Sequence, residues 1–582
     1  MTEPSRQVSF CRLVLRPLLI LCSAFCLLVL VGWTGGITRP LHWGTLLIGI
    51  LFALERGWLF WKLKLRGRER LRLALHSGLA LAVFIVSTVL LLLPLLGAGE
   101  WPLAAHAFIL AAVLVSGITS MIHHQSRYTA RAFHPGILLM GSFLTIIIIG
   151  GLLLKMPRCV VPGETCSWLD AFFTSTSAVC VTGLVVHNTA HYFSHTGQMV
   201  ILLLIQIGGL GIMTLSFFAA VVLMEGLSLH DRLLLGRMMQ DKRLARIGKT
   251  LSFIVGMTFV CEGIGAVILF LGMDGMPDLR TRVFHSVFHS VSAFCNAGFS
   301  TLPDGLADGA VGGNRLWQVV IMALIVIGGL GAFVNEDLSN WFLAKVRRWS
   351  GGNPLVPRLR VHTRLVLFVT ALLILGGAAA IMATEFHLSD GPRNGGRILT
   401  AFFHSVTART AGFNTVPMSQ ISALTMQILM VLMLIGGSPG GTAGGLRTTV
   451  VAVGLACLWN QLRTGKGGIV AFNRTIPRET GSEALGLIML AALWLVPNFI
   501  VFQMIEAGSG VHGITLLFEL ISAFGTVGLS MDLTPTLSEG GRMLLIVNMF
   551  VGRVGLLTVL ATFIRPDSRA ASGKPSENII LT

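Results

Sequence analysis

The sequence predicts an all-α polytopic membrane protein: four covalently linked membrane–pore–membrane repeats around a pseudo-fourfold pore, with extra transmembrane helices at the N-terminus. Three observations predict it. The 582 residues are 54% hydrophobic and only 12% charged, about half the charge of a soluble domain. Apolar runs near the ~20 residues needed to cross a bilayer recur along the whole chain. One short glycine-containing segment returns four times at nearly equal spacing. This composition excludes a disordered chain, a disulfide mini-protein and an ordinary soluble enzyme. The nine cysteines include no CxxC pair, which argues against zinc and thioredoxin-like sites.

Taken in order, the first apolar run (17–35) follows Arg6, Arg12 and Arg16, as in a signal peptide, but lacks a convincing small-residue cleavage site and reads as a retained span. Spans near 43–61, 74–97 and 102–119 complete an N-terminal extension over 1–134. Spans near 136–156 and 197–224 bracket pore repeat 1 (135–225), and 251–272 and 316–343 bracket repeat 2 (226–344). Repeat 3 (345–460) has spans near 363–383 and 421–459. Repeat 4 (461–565) has spans near 484–506 and 541–564, and 566–582 form a tail.

Basic residues cluster at Lys62–Arg72, Arg232–Lys249, Lys345–Arg364 and Arg463–Arg478, with smaller sets at both termini and near Arg127 and Arg131. Alternating the spans puts all of them on one side, which the positive-inside rule makes cytoplasmic, with both termini. The net charge of +17 is thus a topology signal and a contact with anionic lipids. It does not indicate nucleic acid, since no aromatic-interleaved basic domain exists.

The four segments align without gaps: Ser177–Leu184, Ser292–Phe299, Val406–Phe413 and Ser522–Leu529. Their glycines, Gly183, Gly298, Gly412 and Gly528, are 115, 114 and 116 residues apart. Before each lies an apolar segment of about ten residues (Leu169–Ala178, Val283–Phe294, Ile398–Ala408, Ile514–Phe524), too short to cross the core as a helix. These read as re-entrant half-helices. A single copy reads as a kink or a close helix contact; four matched copies on the extracytoplasmic side read as four loops around one axis. Irregular backbone at that depth needs a water- or protein-lined place. A ring of carbonyls there has the construction of a cation filter, its glycines permitting positive φ. The expected filter residues are Cys180, Val181, Thr182 and Gly183; Cys295, Asn296, Ala297 and Gly298; Arg409, Thr410, Ala411 and Gly412; and Gly525, Thr526, Val527 and Gly528. Successive units share one orientation, which favours a pore over a secondary transporter built on inverted repeats. No Ser/His or zincin motif suggests an enzyme.

At Ser405–Thr415 and Ile435–Gly445 the sequence resembles the Trk/Ktr/HKT potassium transporter superfamily, and most closely its bacterial Trk/Ktr translocating subunit, over about 135–564. The resemblance implies potassium as the substrate, with no cofactor in this chain, and a homodimer with one pore per protomer. It further implies a separate cytosolic ring of nucleotide-binding regulatory subunits and residence in a bacterial inner membrane. In this family all-glycine filters accompany potassium, and serine at the first glycine, here Gly183, accompanies sodium. A sodium-permeable or ion-coupled relative, or the pore subunit of an ATP-driven potassium pump, is the alternative. The extended N-terminus departs from the family pattern.

Gly436, Gly437, Gly440, Gly441, Gly444 and Gly445 interrupt the second span of repeat 3. Leu446-Arg447 stands where a phosphate-binding loop has Lys-Ser/Thr. The segment reads as a flexible kink or, following the family, as an intramembrane gate. Arg553 sits in an apolar stretch, where an arginine is a functional hypothesis by default. It is expected as a cation below the filter, or else as a partner of Glu519 or of backbone carbonyls. Arg409 is expected to point behind the filter and brace it by hydrogen bonds. Asp170 reads as a helix cap, and Glu262 as polar packing or ion coupling. His285 and His289 have an i, i+4 spacing that suits a metal but lacks a third ligand; with His404 they read as polar contacts behind the filter. Cys159 and Cys166 are candidates for a disulfide, and Cys180 and Cys295 are expected to contribute backbone only.

Overall fold

The computed structural model describes residues 39–62, 135–211, 247–273, 278–309, 313–351, 357–385, 396–463, 469–472 and 474–563, with a few isolated positions besides. Most of the N-terminal extension, the tail from 566 and the basic clusters at 64–72 and 232–246 lie outside the described residues.

The described helices are α1 (Arg39–Lys62), α2 (Pro135–Leu154), α3 (Trp168–Val179), α4 (Thr189–Tyr192), α5 (His195–Leu210), α6 (Ile247–Leu271), α7 (Leu279–Phe294), α8 (Arg315–Leu330) and α9 (Ala332–Trp349). They continue with α10 (Val361–Thr384), α11 (Arg397–Thr407), α12 (Ala423–Leu434), α13 (Thr448–Arg463), α14 (Arg478–Ile505), α15 (Gly513–Gly525), α16 (Glu539–Val554) and α17 (Leu556–Phe563). A small antiparallel hairpin, Ile469–Ala471 with Arg474–Ile476, precedes α14 and carries no hydrophobic signature in the sequence.

Each repeat is an outer helix (α2, α6, α10, α14), a short pore helix (α3, α7, α11, α15), a loop and an inner helix (α5, α8, α12, α16). The pore helices have 12, 16, 11 and 13 residues, about 16–24 Å at 1.5 Å per residue, shorter than a ~30 Å hydrocarbon core. Every inner helix starts at a polar cap, Ser194, Asn314, Ser422 or Ser538, whose side chain accepts a first-turn N–H. Within each of the first three repeats a glycine on the outer helix lets the pore helix approach: a Cβ at Gly150, Gly265 or Gly377 would strike Ser175, Ser290 or Ser405. Those hydroxyls donate across to the outer helices at the carbonyls of Ile147, Glu262 and Ile374, at 2.7, 2.6 and 2.8 Å. The cores run between the repeats, while Leu203, Phe368, Leu372, Leu493 and Met489 stay exposed on the outside, as lipid rather than water as solvent requires.

Helices within Ser252–Leu271, Val361–Thr384 and Arg478–Ile505 are long and apolar enough to cross by themselves. The inner helices are not continuous spans, which corrects the sequence reading of 316–343 and 541–564. The second breaks at Gly331 (φ 85°), where α8 and α9 meet at 106°. The fourth breaks at Gly555 (φ 93°) between α16 and α17, the first ends at Gly211 (φ 77°), and the third opens into the 435–447 loop. The first, second and fourth breaks lie two residues after the paired glycines or Gly-Arg, and the third opens just before its pair, at Ile435. A period-blind hydropathy window runs straight through such a position, because glycine is apolar enough to count as span.

Candidate functional site: a four-glycine ring and the loop beneath it

From the C-terminal end of each pore helix the backbone enters one left-handed residue and, two residues later, a glycine. Val181, Asn296, Thr410 and Thr526 have φ of 57°, 60°, 73° and 50°; Gly183, Gly298, Gly412 and Gly528 have 92°, 71°, 79° and 93°. Left-handed non-glycine residues store about 1–3 kcal/mol each and persist only where their surroundings fix them. Here pore-helix hydroxyls do so. Ser177 and Ser522 accept from the N–H of Gly183 and Gly528 at 3.0 and 3.1 Å, while Ser292 and Thr407 donate to the carbonyls of Phe299 and Phe413 at 2.8 and 2.7 Å. These four side chains were not singled out in the sequence. The bracing hydroxyl lies six residues before the glycine in repeats 1, 2 and 4, and Thr407 lies five before Gly412.

The four segments close a ring. A Cβ added at Gly183 would fall closer than 3.0 Å to the carbonyl oxygen of Ala297, one at Gly298 to that of Ala411, one at Gly412 to that of Val527, and one at Gly528 to that of Thr182. The contact passes from repeat 1 to 2, 3, 4 and back to 1. All four positions combine positive φ with a neighbour's backbone, so glycine is required twice over.

Among the expected filter residues, the Asn296 amide meets Thr410 Oγ1 across repeats 2 and 3 at 3.5 Å, while Cys295 and Arg409 find partners outside the ring. Cys180 and Cys295 are fully buried, and Cys295 Sγ donates to the Glu262 carboxylate at 3.7 Å. Gln206 on α5 donates to the same carboxylate at 3.2 Å, so Glu262 is polar packing between repeats 1 and 2. Arg409 points behind the ring into a small cavity lined by Ile325, Val326, Gly329, Leu330, Thr370 and Val406. Its guanidinium donates to Thr370 Oγ1 at 3.4 Å, which ties this segment to α10. His289 meets the His285 carbonyl at 2.8 Å and Ser300 at 2.9 Å, His285 meets Thr301 at 2.6 Å, and His404 meets the Thr400 carbonyl at 2.9 Å. They hold pore helices and the segment after Gly298, as polar contacts.

Beneath the ring, the glycine-rich loop of repeat 3 touches repeats 2 and 4, and Arg553 of repeat 4 links it to repeat 1. It is pinched at its base by Gly436 N–H to the Leu446 carbonyl at 2.8 Å and Thr448 N–H to the Gly437 carbonyl at 3.0 Å. Ser438 and Thr442 N–H donate to the Gly329 and Gly328 carbonyls of repeat 2 at 3.0 and 3.4 Å, and the Gly440 carbonyl accepts from Ala332 N–H at 3.1 Å. A Cβ at Gly444 would strike Thr526 of repeat 4. Arg553 donates to the Thr442 carbonyl of the loop and, at 2.6 Å, to the Gly208 carbonyl of repeat 1. Arg447, passed over in the sequence, donates to the Ser438 and Ala443 carbonyls and folds the loop on itself. The expected Arg553–Glu519 pair does not form. Glu519 instead accepts from Ser530, Met531 N–H and Thr534 in the outer loop of repeat 4.

At the outer rim, Asp170 joins Arg542 of repeat 4 at 2.8 Å and His187 at 3.3 Å, beyond its expected capping role. Burial alone would raise this carboxyl, but the Ser167 hydroxyl, His187 and the Arg542 guanidinium outweigh it and hold it below the usual carboxylate range. A group depressed on folding stabilises the native state above its unfolded pKa and loses that contribution as pH falls through the folded value. Asp170→Asn and Arg542→Gln are each expected to destabilise the seam between repeats 1 and 4 by up to about 3 kcal/mol at neutral pH. The double variant should cost less than the sum and should lose part of the acid sensitivity, read by thermal unfolding across pH. Cys159 and Cys166 are not bonded to each other; both are buried thiols, and burial, with Cys166 nearby, pushes Cys159 up to about 11.

A family model described as TrkH, cation transport protein, matches residues 103–572. The potassium/sodium uptake protein NtpJ of Enterococcus hirae is 35% identical over 459 residues, covering 77% of this chain and 97% of that protein. Ktr system potassium uptake protein B of Vibrio alginolyticus is 35% identical over 461 residues, 78% of this chain and 96% of that protein. The crystal structure of the potassium transporter TrkH from Vibrio parahaemolyticus has a TM-score of 0.58 at 19% identity, over 85% of this chain and 97% of that one; it shows the fold.

Proposed function

The chain belongs to the TrkH family of cation transport proteins and is a membrane transporter, not an enzyme; from that premise we propose that it takes up potassium through the four-glycine ring. One observation carries the reading: the ring closes on itself through backbone alone, glycine against carbonyl, in all four repeats. A carbonyl cage can replace the hydration shell of a cation. Potassium is the ion because relatives of this length are named for potassium uptake and because all four ring positions are glycine. One relative's name includes sodium, so the relative fluxes of Rb⁺ and Na⁺ in reconstituted vesicles are the deciding test. Faster Na⁺ than Rb⁺ would give the sodium-permeable reading.

The loop at Gly436–Gly445 acts as the gate. Its bonds to repeat 2, its tie to Arg553 of repeat 4 and its contact with Thr526 support that reading, and six of its residues carry no side chain to resist a movement. Arg553 works there in two ways: it ties the loop to repeat 1, and its charge raises the barrier to a passing cation. The positive-inside distribution gives cytoplasmic termini in a bacterial inner membrane. Membership of a named Ktr system in two relatives supports a separate regulatory partner, here a nucleotide-binding ring on the cytoplasmic loops, and the family pattern supports a homodimer. Deleting Gly440–Gly445 should raise Rb⁺ flux per inserted protein several-fold. It should also uncouple flux from the partner. Wild-type flux from a folded, inserted deletion variant would reduce the loop to a kink.

A further inference from the structure

The gate loop is fastened to a helix that has no work inside the bundle. α9 leaves α8 at 106°, and only Val334 and Asn335 on it are buried. Its first two turns are fixed: Asp337 pairs with Arg360 at 3.3 Å and accepts from Thr363 at 2.7 Å, and Glu336 accepts from Thr250 at 3.2 Å. Beyond them Leu338, Phe342, Val346 and Trp349 follow at steps of four, four and three, which is one face of a helix. Phe342, Val346 and Trp349 are 61%, 39% and 94% exposed. Lys345, Arg347 and Arg348 are exposed beside this stripe, in no ion pair among the described residues, and Lys345 covers the Trp341 ring at 4.8 Å. An apolar stripe edged by basic residues, on a helix turned nearly at right angles to a span, has the form of a helix lying in a membrane interface.

We infer that α9 docks on the anionic lipid surface of the cytoplasmic leaflet and that this docking sets the position of the gate loop; the second part rests on the reading of that loop as the gate. The link is short. The N-terminal N–H of α9, on Ala332, donates to the Gly440 carbonyl at the loop tip, and a Cβ at Gly331 would strike the Pro439 carbonyl. With α9 held flat on the leaflet, this bond and the Ser438 contacts keep the loop under the ring. Release of α9 withdraws the Gly440 anchor.

The test uses the full chain in nanodiscs of phosphatidylcholine alone or with phosphatidylglycerol, without any partner protein. Hydrogen exchange over 338–349 should slow with the anionic lipid, and Lys345→Gln/Arg347→Gln/Arg348→Gln should abolish the slowing, since each basic residue near the surface is worth about fivefold in attachment. In vesicles of the same lipids, Rb⁺ flux should be several-fold lower with the anionic lipid for wild type and insensitive to it for the triple variant. Exchange unaffected by lipid charge, or an unchanged response in the triple variant, would overturn the docking itself. Lipid-dependent exchange with lipid-independent flux would overturn only its coupling to the gate.

Discussion

Replacing Gly183 with serine should cut Rb⁺ uptake at least about tenfold per inserted protein and raise the sodium share of what passes. The reason is local and geometric. At φ 92° any side chain is strained, by about 1–3 kcal/mol, and the new Cβ falls on the Ala297 carbonyl oxygen, a backbone atom with no flexible end to move aside. The ring must widen or shear there. A shift that costs ~1.4 kcal/mol at the barrier already lowers passage tenfold, and a widened cage holds the smaller ion's water better than it replaces the larger ion's. Gly298→Ala should be the mildest substitution of the four, because its gap to the Ala411 carbonyl, 2.6 Å, is the widest. Gly486→Ser is the control, since a Cβ there meets nothing within 4 Å. An unaltered Rb⁺-to-Na⁺ ratio in Gly183→Ser would remove the ring from the selectivity mechanism.

Arg553→Gln should raise maximal Rb⁺ flux about tenfold with the Rb⁺-to-Na⁺ preference nearly unchanged. Two contributions add. Unit charges ~8 Å apart at an effective dielectric near 20 repel by ~2 kcal/mol, and the guanidinium also bridges the Thr442 and Gly208 carbonyls. Arg553→Lys separates them: the ammonium keeps the charge but lacks the planar fork that reaches two carbonyls. The expected order of flux is Gln above Lys above wild type. Because Glu519 is satisfied by Ser530, Met531 and Thr534, Arg553 can be changed without orphaning a carboxylate, and folding should survive. Flux at or below wild type in well-inserted Arg553→Gln protein would reject both roles.

The repeat architecture is legible because it is written in period and spacing: four apolar half-length segments and four glycines about 115 residues apart. What escaped the sequence depends on distances between repeats. That Ser177 and Ser522 accept while Ser292 and Thr407 donate is visible only once the hydroxyls meet their partners. The breaks at Gly331 and Gly555 were masked by apolar flanks on both sides. The sequence marks Arg553 as a charge in an apolar stretch and leaves Glu519 and backbone carbonyls both open as its partners; the structure selects carbonyls of the loop and of a helix end, which are left unpaired where inner helices stop. Arg447, whose partners are likewise carbonyls, escaped notice.

Potassium is expected to occupy the axis that the four glycines enclose. Crystals grown with Rb⁺ in place of K⁺, measured at the rubidium absorption edge, test this directly. Anomalous peaks are expected on the pseudo-fourfold axis, ringed by the backbone of Val181–Gly183, Asn296–Gly298, Thr410–Gly412 and Thr526–Gly528, and lost in Gly183→Ser crystals. Rubidium bound elsewhere in the protein, with an axis empty in wild type, would contradict it.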